Sequence, residues 1–203
     1  MTTILLIRHG ENDSIGHYMP GRTPGLGLNA AGKAQAGQVA DCLAGVKLDR
    51  IISSPLDRTR QTAAPLAART GLVMELVEGF IEMDPGDWTS RPFTELFQDP
   101  LWTQLRSDPQ DAGYPGGETF IATQERLWQS TQQVLKETSQ GTVAIFTHAD
   151  CVRLITAAAL RIPLSHYNRM LIDTASLTVI NFRASGAVVE VLNNRLAYSW
   201  QPR

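Results

Sequence analysis

Two histidines and two arginines, each placed where a short apolar run ends, carry the first chemical signal in this chain. Arg8-His9-Gly10-Glu11 follows the run Thr3 to Ile7. Ser53-Ser54-Pro55-Leu56-Asp57-Arg58 follows Arg50 to Ser53, and Thr147-His148-Ala149-Asp150 follows Thr142 to Phe146. A lone histidine or arginine at such a place has a plain structural reading. Ligands of open α/β sheets, however, bind beyond the carboxyl ends of the strands. If the runs are strands of one sheet, Arg8, His9, Arg58 and His148 meet on one rim. Cationic or potentially cationic groups gathered there repel one another unless an anion sits among them. Phosphate is the natural anion, because guanidinium forks match its oxygens bidentately.

The elements that must position these residues are legible as patterns. Thr3 to Ile7 is β-branched and leucine-rich without alternation, which predicts a strand buried on both faces. Arg50 to Ser53 and Thr142 to Phe146 read the same way. Leu177 to Phe182 and Val188 to Leu192 read as a hairpin around Ser185-Gly186. Ala36, Val39, Ala40 and Leu43 form a helical stripe. Ser54 and Pro55 read as N-cap and first residue of a second helix, with a kink or break at Pro65 and an end at Gly71. Leu127, Thr131, Val134 and Leu135 mark a third helix, ended by Gly141. A fourth, capped by Asp150, carries Ile155, Ala158 and Ala159. Strands alternating with helices predict an α/β fold, a three-layer sandwich around a largely parallel central sheet. The segment from about 85 to 117, rich in Pro, Gly, Trp and Asp, reads as an insertion of short helices over one edge of the sheet.

Composition sets the outer bounds. The 203 residues fit a single domain, 1–203, with that insertion inside it. Hydrophobic residues at 43% and charged residues at 19% exclude a disordered chain. A net charge of -2 gives no reason to expect nucleic acid or an anionic membrane as partner. Cys42 and Cys151 lack metal-ligand spacing and read as reduced structural thiols. The apolar start, Met1 to Ile7, is too short for a signal peptide, and no run approaches the ~20 apolar residues of a membrane span. A cytoplasmic protein is expected.

Further motifs connect these residues to a known family. Arg8-His9-Gly10-Glu11 after an N-terminal strand resembles the signature of the histidine phosphatase, or phosphoglycerate-mutase-like, superfamily. Ser53 through Ala63 resembles its second arginine motif. Ile81-Glu82-Met83-Asp84-Pro85-Gly86-Asp87-Trp88 is similar to its acidic motif. Gly116-Gly117-Glu118-Thr119 resembles a Gly-Glu-Ser element, and Phe146-Thr147-His148 the second histidine motif. All five stand in family order.

The resemblance implies a phosphoglycerate-mutase-like fold and a metal-independent phosphomonoester hydrolase. In it His9 is the nucleophile that becomes a phosphohistidine. Arg8, Arg58 and His148 bind the phosphoryl group, and Glu82 is the general acid and then the base, with Asp84 and Asp87 as rivals. Family spacing also selects Arg58 over Arg60. These roles are physically sound. A neutral imidazole is nucleophilic near pH 7, its other nitrogen holding the proton against a carbonyl of the tight loop at Gly10. Phosphoryl transfer needs chiefly positioning and charge stabilisation. No metal and no cofactor are required, and the expected partner is a small phosphorylated substrate.

Gly10, Asn12, Arg22 and Ala149 are the candidate substrate contacts. The family's Asn six residues after the nucleophile is here Ile15, with Asn12 nearer, and its glycines after the second histidine are Ala149 and Asp150. Arg22, in Pro20-Gly21-Arg22-Thr23-Pro24-Gly25, has two readings, a substrate contact or a solvated loop charge. Two alternatives to hydrolysis stand: a phosphomutase returning the phosphate to substrate, and a non-catalytic phosphate- or phosphoprotein-binding module. The shorter chain favours hydrolysis over the mutase. His17 and His166 read as surface residues, Trp88 and Trp102 as packing residues, and Glu118 as a helix cap or a catalytic group. The acids Glu78, Glu82, Asp84 and Asp87 lack a nearby His or Cys partner for a metal.

Overall fold

The computed structural model describes residues 1–195 apart from 108, 110 and 111. Its strands are β1 (Thr2–Arg8), β2 (Arg50–Ser53), β3 (Met74–Leu76), β4 (Gly141–Thr147), β5 (Leu177–Arg183) and β6 (Gly186–Asn194). They form one six-stranded sheet in the order β3-β2-β4-β1-β5-β6. The first four of that order are parallel, and the hairpin β5–β6 adds two antiparallel strands. The helices are α1 (Ala30–Cys42), α2 (Asp57–Thr70), α3 (Phe93–Leu96), α4 (Pro100–Ser107), α5 (Phe120–Glu137) and α6 (Ala149–Leu160). Single 3-10 stretches lie at Glu78–Phe80, Gly86–Trp88 and Leu164–Arg169. Among the described residues, no helix is long and apolar enough to cross a membrane.

Side chains alternate across the sheet and divide the core in two. Ile4, Leu6, Ile52, Val143, Ile145 and Ile180 pack with Leu127 and Val134 of α5 and Val152 and Ile155 of α6. Leu5, Ile7, Ile51, Ala144, Phe146 and Val179 pack with Val39 and Ala40 of α1 and Ala63 and Leu66 of α2. Period-two alternation with both faces covered explains why the middles of β1 and β4, Ile4 to Ile7 and Val143 to Phe146, are apolar at every position. It also makes the three layers.

Local signals held unevenly. Gly71 ends α2 in the left-handed conformation, as a C-cap glycine does. Ser54 and Pro55, however, do not open α2. Its N-cap is Leu56, without a side-chain cap. The Ser54 backbone still extends the sheet, its N–H donating to Phe146 O at 2.9 Å, and its hydroxyl is taken by His148. The helix is also unbroken at Pro65: burial of Ala63 and Leu66 on either side offsets the lost hydrogen bond. Gly141 begins β4 rather than ending α5, whose C-cap is Thr138. At φ +136, Gly141 accommodates Asp49, whose Oδ2 lies 2.3 Å from where a Cβ would stand. Asp150 is not the cap of α6 either. That place is His148, and Asp150 in the first turn pairs with Arg153 at 2.8 Å.

Candidate active site

The rim forms because three parallel strands end in register. Arg8 of β1 stands opposite Thr147 of β4, and Ser53 of β2 opposite Phe146. The ladder runs one residue further, His9 N–H donating to Thr147 O at 2.9 Å. His9, Ser54 and His148 therefore leave the sheet side by side, and the His9 and His148 rings meet edge-on with centroids 5.3 Å apart.

His9 is held in one orientation. Its Nδ1 lies 2.7 Å from Gly10 O, so that nitrogen carries the hydrogen and Nε2 keeps its lone pair. Burial, with the charges of Arg58 and Arg8, holds the imidazole well below its ordinary pKa, so the ring is neutral at pH 7. The loop beneath is tight. Gly10 N–H donates to Thr62 Oγ1 at 2.9 Å, and a Cβ at Gly10 would stand 2.7 Å from Gly32 O. Only glycine allows α1 to approach that closely.

Arg8, Arg58 and His148 surround His9 with donors the protein does not use. Arg8 gives one nitrogen to Ile172 O at 2.8 Å, and Arg58 gives one to Gly21 O at 2.8 Å. Arg8 Nε, Arg58 Nε and Nη1, and His148 Nδ1 are buried without a partner. Arg58 is 0% exposed, and burial lowers the pKa of both guanidiniums, partly offset by Glu82. His148 is held well below its ordinary pKa by burial, Arg58 and His9. A neutral His148 that accepts from Ser54 Oγ at Nε2, 2.9 Å away, presents Nδ1–H to the same space. An unsatisfied buried donor costs about 1–3 kcal/mol, more when charged. Four of them around one nucleophilic nitrogen make a cradle for an anion.

Glu82 closes the cradle from the loop after β3. Its side chain is 16% exposed, with Oε2 3.7 Å from His148 Nδ1, and Oε1 accepts from Met83 N–H at 2.9 Å. Burial, then Asp150, raises its pKa to about 7, against the lowering pull of Arg58 and Arg8. It can therefore hold or release a proton near neutrality. A charged scaffold fixes the loop. Arg126 on α5 donates to Gly79 O and Ile81 O at 3.0 and 3.1 Å and pairs with Glu118 at 2.9 Å. Glu118 also accepts from Asp84 N–H at 3.1 Å.

The cradle opens into a cavity of about 450 Å³. Arg8, His9, Glu82 and Ala149 are on its wall, with Ser14, Ile15 and Asp150. The remainder comes largely from the 85–117 segment and from Phe120 and Tyr167. Among the described residues, no three His, Cys, Asp or Glu side chains are grouped as metal ligands.

The structure brings together His9, Arg8, Arg58, His148 and Glu82, with Gly10 beneath the nucleophile and Ala149 at the wall. Arg22 takes neither expected place. Its Nε donates to Glu82 O at 2.8 Å, it pairs with Glu118 at 2.9 Å, and it does not line the cavity. Asn12 is buried, its Oδ1 accepting from Ser14 N–H and Oγ at 3.0 and 2.6 Å, so Ser14 rather than Asn12 reaches the wall. Arg60 is a solvated charge, its side chain 51% exposed.

Sequence reasoning missed the roles of Ser54, Thr62 and Arg126. Thr62 lies four residues after Arg58, on its face of α2, and donates to Arg58 O at 2.6 Å. Arg126 is a charged residue beside the buried stripe Thr123, Leu127, Thr131, a pattern that signals a buried ion pair.

Comparison with known proteins supplies the context. The family model described as "Histidine phosphatase superfamily (branch 1)" matches residues 4–195. Phosphoserine phosphatase 1 of Hydrogenobacter thermophilus is 29% identical over 200 residues, 95% of this chain and 92% of its own length. The adenosylcobalamin/alpha-ribazole phosphatase of Escherichia coli is 26% identical over 193 residues, 94% of this chain and 95% of its own. The chain spans 55% of the length of mycobacterial relatives 28% identical to it. Among solved structures, the alpha-ribazole phosphatase of Shigella flexneri superposes with a TM-score of 0.87 at 25% identity, covering 98% of this chain and 100% of that one.

Proposed function

This chain belongs to the histidine phosphatase superfamily, branch 1, and from that premise we propose that it hydrolyses phosphomonoesters through a phosphohistidine on His9, without a metal. The observation that carries the reading is the set of four buried, unpartnered donors on Arg8, Arg58 and His148, whose charges or ring act directly on His9. They match the equatorial oxygens of a transferring phosphoryl group, whose charge is what catalysis must stabilise.

The steps follow from the atoms. His9 Nε2 attacks phosphorus while the P–O bond to the alcohol breaks, and protonated Glu82 gives its proton to the leaving oxygen. Nδ1–H stays on Gly10 O throughout. Water then attacks phosphorus, Glu82 takes its proton, and the P–N bond breaks to release phosphate and neutral His9. Arg22, Arg126 and Glu118 act on the reaction by holding the Glu82 loop. Glu82 is preferred to Asp84 and Asp87 because it alone of the three lies on the cavity wall. The wide cavity leaves room for water beside the phosphohistidine, which favours hydrolysis over return of the phosphate. The named relatives act on phosphoserine and alpha-ribazole phosphate, so the partner here is a small phosphorylated molecule.

The test is phosphate release in chelator, with wild type and His9→Ala side by side, and mapping of label from a ³²P-ester under alkaline quench. Chelator-resistant turnover with label on His9 is expected. Label elsewhere, or turnover retained by His9→Ala, refutes the mechanism; isomerisation without net release refutes hydrolysis in favour of a mutase.

A further inference from the structure

The cavity beyond the phosphate cradle is walled by rings. Phe93, Phe97 and Trp102 form one group, with centroids 5.7 Å apart for Phe93–Phe97, 5.1 Å for Phe97–Trp102 and 6.0 Å for Phe93–Trp102. Tyr114, Phe120 and Tyr167 form a second, at 5.7 Å for Tyr114–Phe120 and 5.1 Å for Phe120–Tyr167. Both groups line the one cavity. Buried Trp88 ties them together from behind, 5.9 Å from Trp102 and 5.5 Å from Tyr114. Phe97 is nonetheless 59% exposed, an apolar face left to water when the cavity is empty.

Charge in the same space argues against a second anionic group close to the ester. Beyond the cradle, the cations on the wall among the described residues are Arg106 and Arg153. Arg153 is already paired with Asp150 at 2.8 Å and donates to Met170 O at 2.8 Å. Arg106 lies over the Trp102 ring, 5.3 Å from its centroid. Asp150 itself would repel a carboxylate beside it and accept from a hydroxyl or N–H instead. A cavity of about 450 Å³ is also of drug-ligand size, far larger than a three-carbon phosphoester fills.

Resting on the phosphomonoester reading, we propose that the alcohol half of the substrate is a flat, ring-bearing group, seated between the two aromatic walls with its polar edge toward Asp150, rather than a small amino acid or hydroxy acid such as phosphoserine or phosphoglycerate. Aromatic walls select rings over equal areas of aliphatic chain through offset and edge-to-face contacts. Arg106 adds a guanidinium plane that stacks on a ring as well as on Trp102.

The test uses esters of primary alcohols, so that leaving-group chemistry is matched: n-propyl phosphate, 2-phenylethyl phosphate, 2-(1-naphthyl)ethyl phosphate, phosphoserine and 3-phosphoglycerate. In wild type, kcat/KM for the ring esters is expected to exceed that for n-propyl phosphate and phosphoserine by on the order of tenfold or more. The ratio should shrink in Trp102→Ala and in Phe97→Ala, the latter an exposed position where folding is not at stake. A preference for phosphoserine or 3-phosphoglycerate, or a ring preference untouched by both variants, overturns the proposal. Binding of the same esters to His9→Ala, followed by calorimetry, separates this inference from its premise. If wild type turns over none of them, hydrolysis is refuted; the ring inference then stands only if 2-phenylethyl phosphate binds His9→Ala more tightly than phosphoserine, and falls if it does not.

Discussion

Glu82→Gln should stabilise the folded protein at pH 8 and leave it nearly unchanged at pH 4, while removing most of its turnover. The carboxyl is raised from its ordinary 4.5 to about 7 in the folded state, by burial first and Asp150 second. In the unfolded chain it ionises near its ordinary value. Between those two pH values the native state holds a proton that the unfolded state has lost, so stability falls as pH rises through the window. The loss is complete above about pH 7 and absent below about 4.5. A rise of this size is worth roughly 3 kcal/mol at 1.36 kcal/mol per unit. Glutamine keeps the shape and the acceptor for Met83 N–H but cannot ionise, so it escapes the loss. The low-pKa histidines, His9 and His148, act in the opposite sense but are common to both proteins and largely cancel in the difference. Urea unfolding at pH 4, 6 and 8 in phosphate-free buffer measures that difference directly. A gain that grows with pH toward a few kcal/mol is expected, with kcat lower by about 10²–10⁴-fold from loss of the general acid. A pH-independent difference, or a variant less stable at pH 8, would refute the assignment of a raised carboxyl at this position.

Two further outcomes follow from the scaffold. Thr62→Val removes the hydroxyl that accepts from Gly10 N–H and donates to Arg58 O; urea unfolding should show a loss of about 1–3 kcal/mol, and steady-state kinetics a lower kcat, with Thr62→Ser restoring both. Arg126→Met frees the Glu82 loop from its ties at Gly79 O, Ile81 O and Glu118. Its kcat should fall by on the order of tenfold with a smaller change in KM, and Arg126→Lys should not rescue it, since a single ammonium cannot reproduce the guanidinium fork.

The layers, the parallel core of the sheet and the rim of Arg8, His9, Arg58 and His148 were legible in the chain itself. Short unbroken apolar runs read as strands covered on both faces, and parallel strands bring their carboxyl ends to one side. Cap signals were less dependable. Ser54 and Gly141 each carry a helix-end signature, yet each answers to a long-range partner, His148 and Asp49, while Asp150 pairs with Arg153 within its own helix turn instead of capping it. A cap is worth only about 1 kcal/mol, which a buried hydrogen bond or ion pair from elsewhere in the chain readily outweighs.

What tertiary structure alone decided is electrostatic and spatial. Arg22 could be read from sequence as reaching substrate or water; packing gave it to Glu82 O and Glu118 instead. The proton affinity of Glu82, the neutrality of His9 and the four unpartnered donors all arise from desolvation, which depends on every residue that excludes water and on no local pattern. The aromatic walls likewise join Phe93, Phe97 and Trp102 to Tyr167, residues far apart in the chain and adjacent only across the folded cavity. Residue types at strand ends marked this chain as one built to handle phosphoryl groups; the packing around them set the proton affinity of Glu82 and lined the cavity beyond the cradle with rings, because both depend on which residues exclude water from the site.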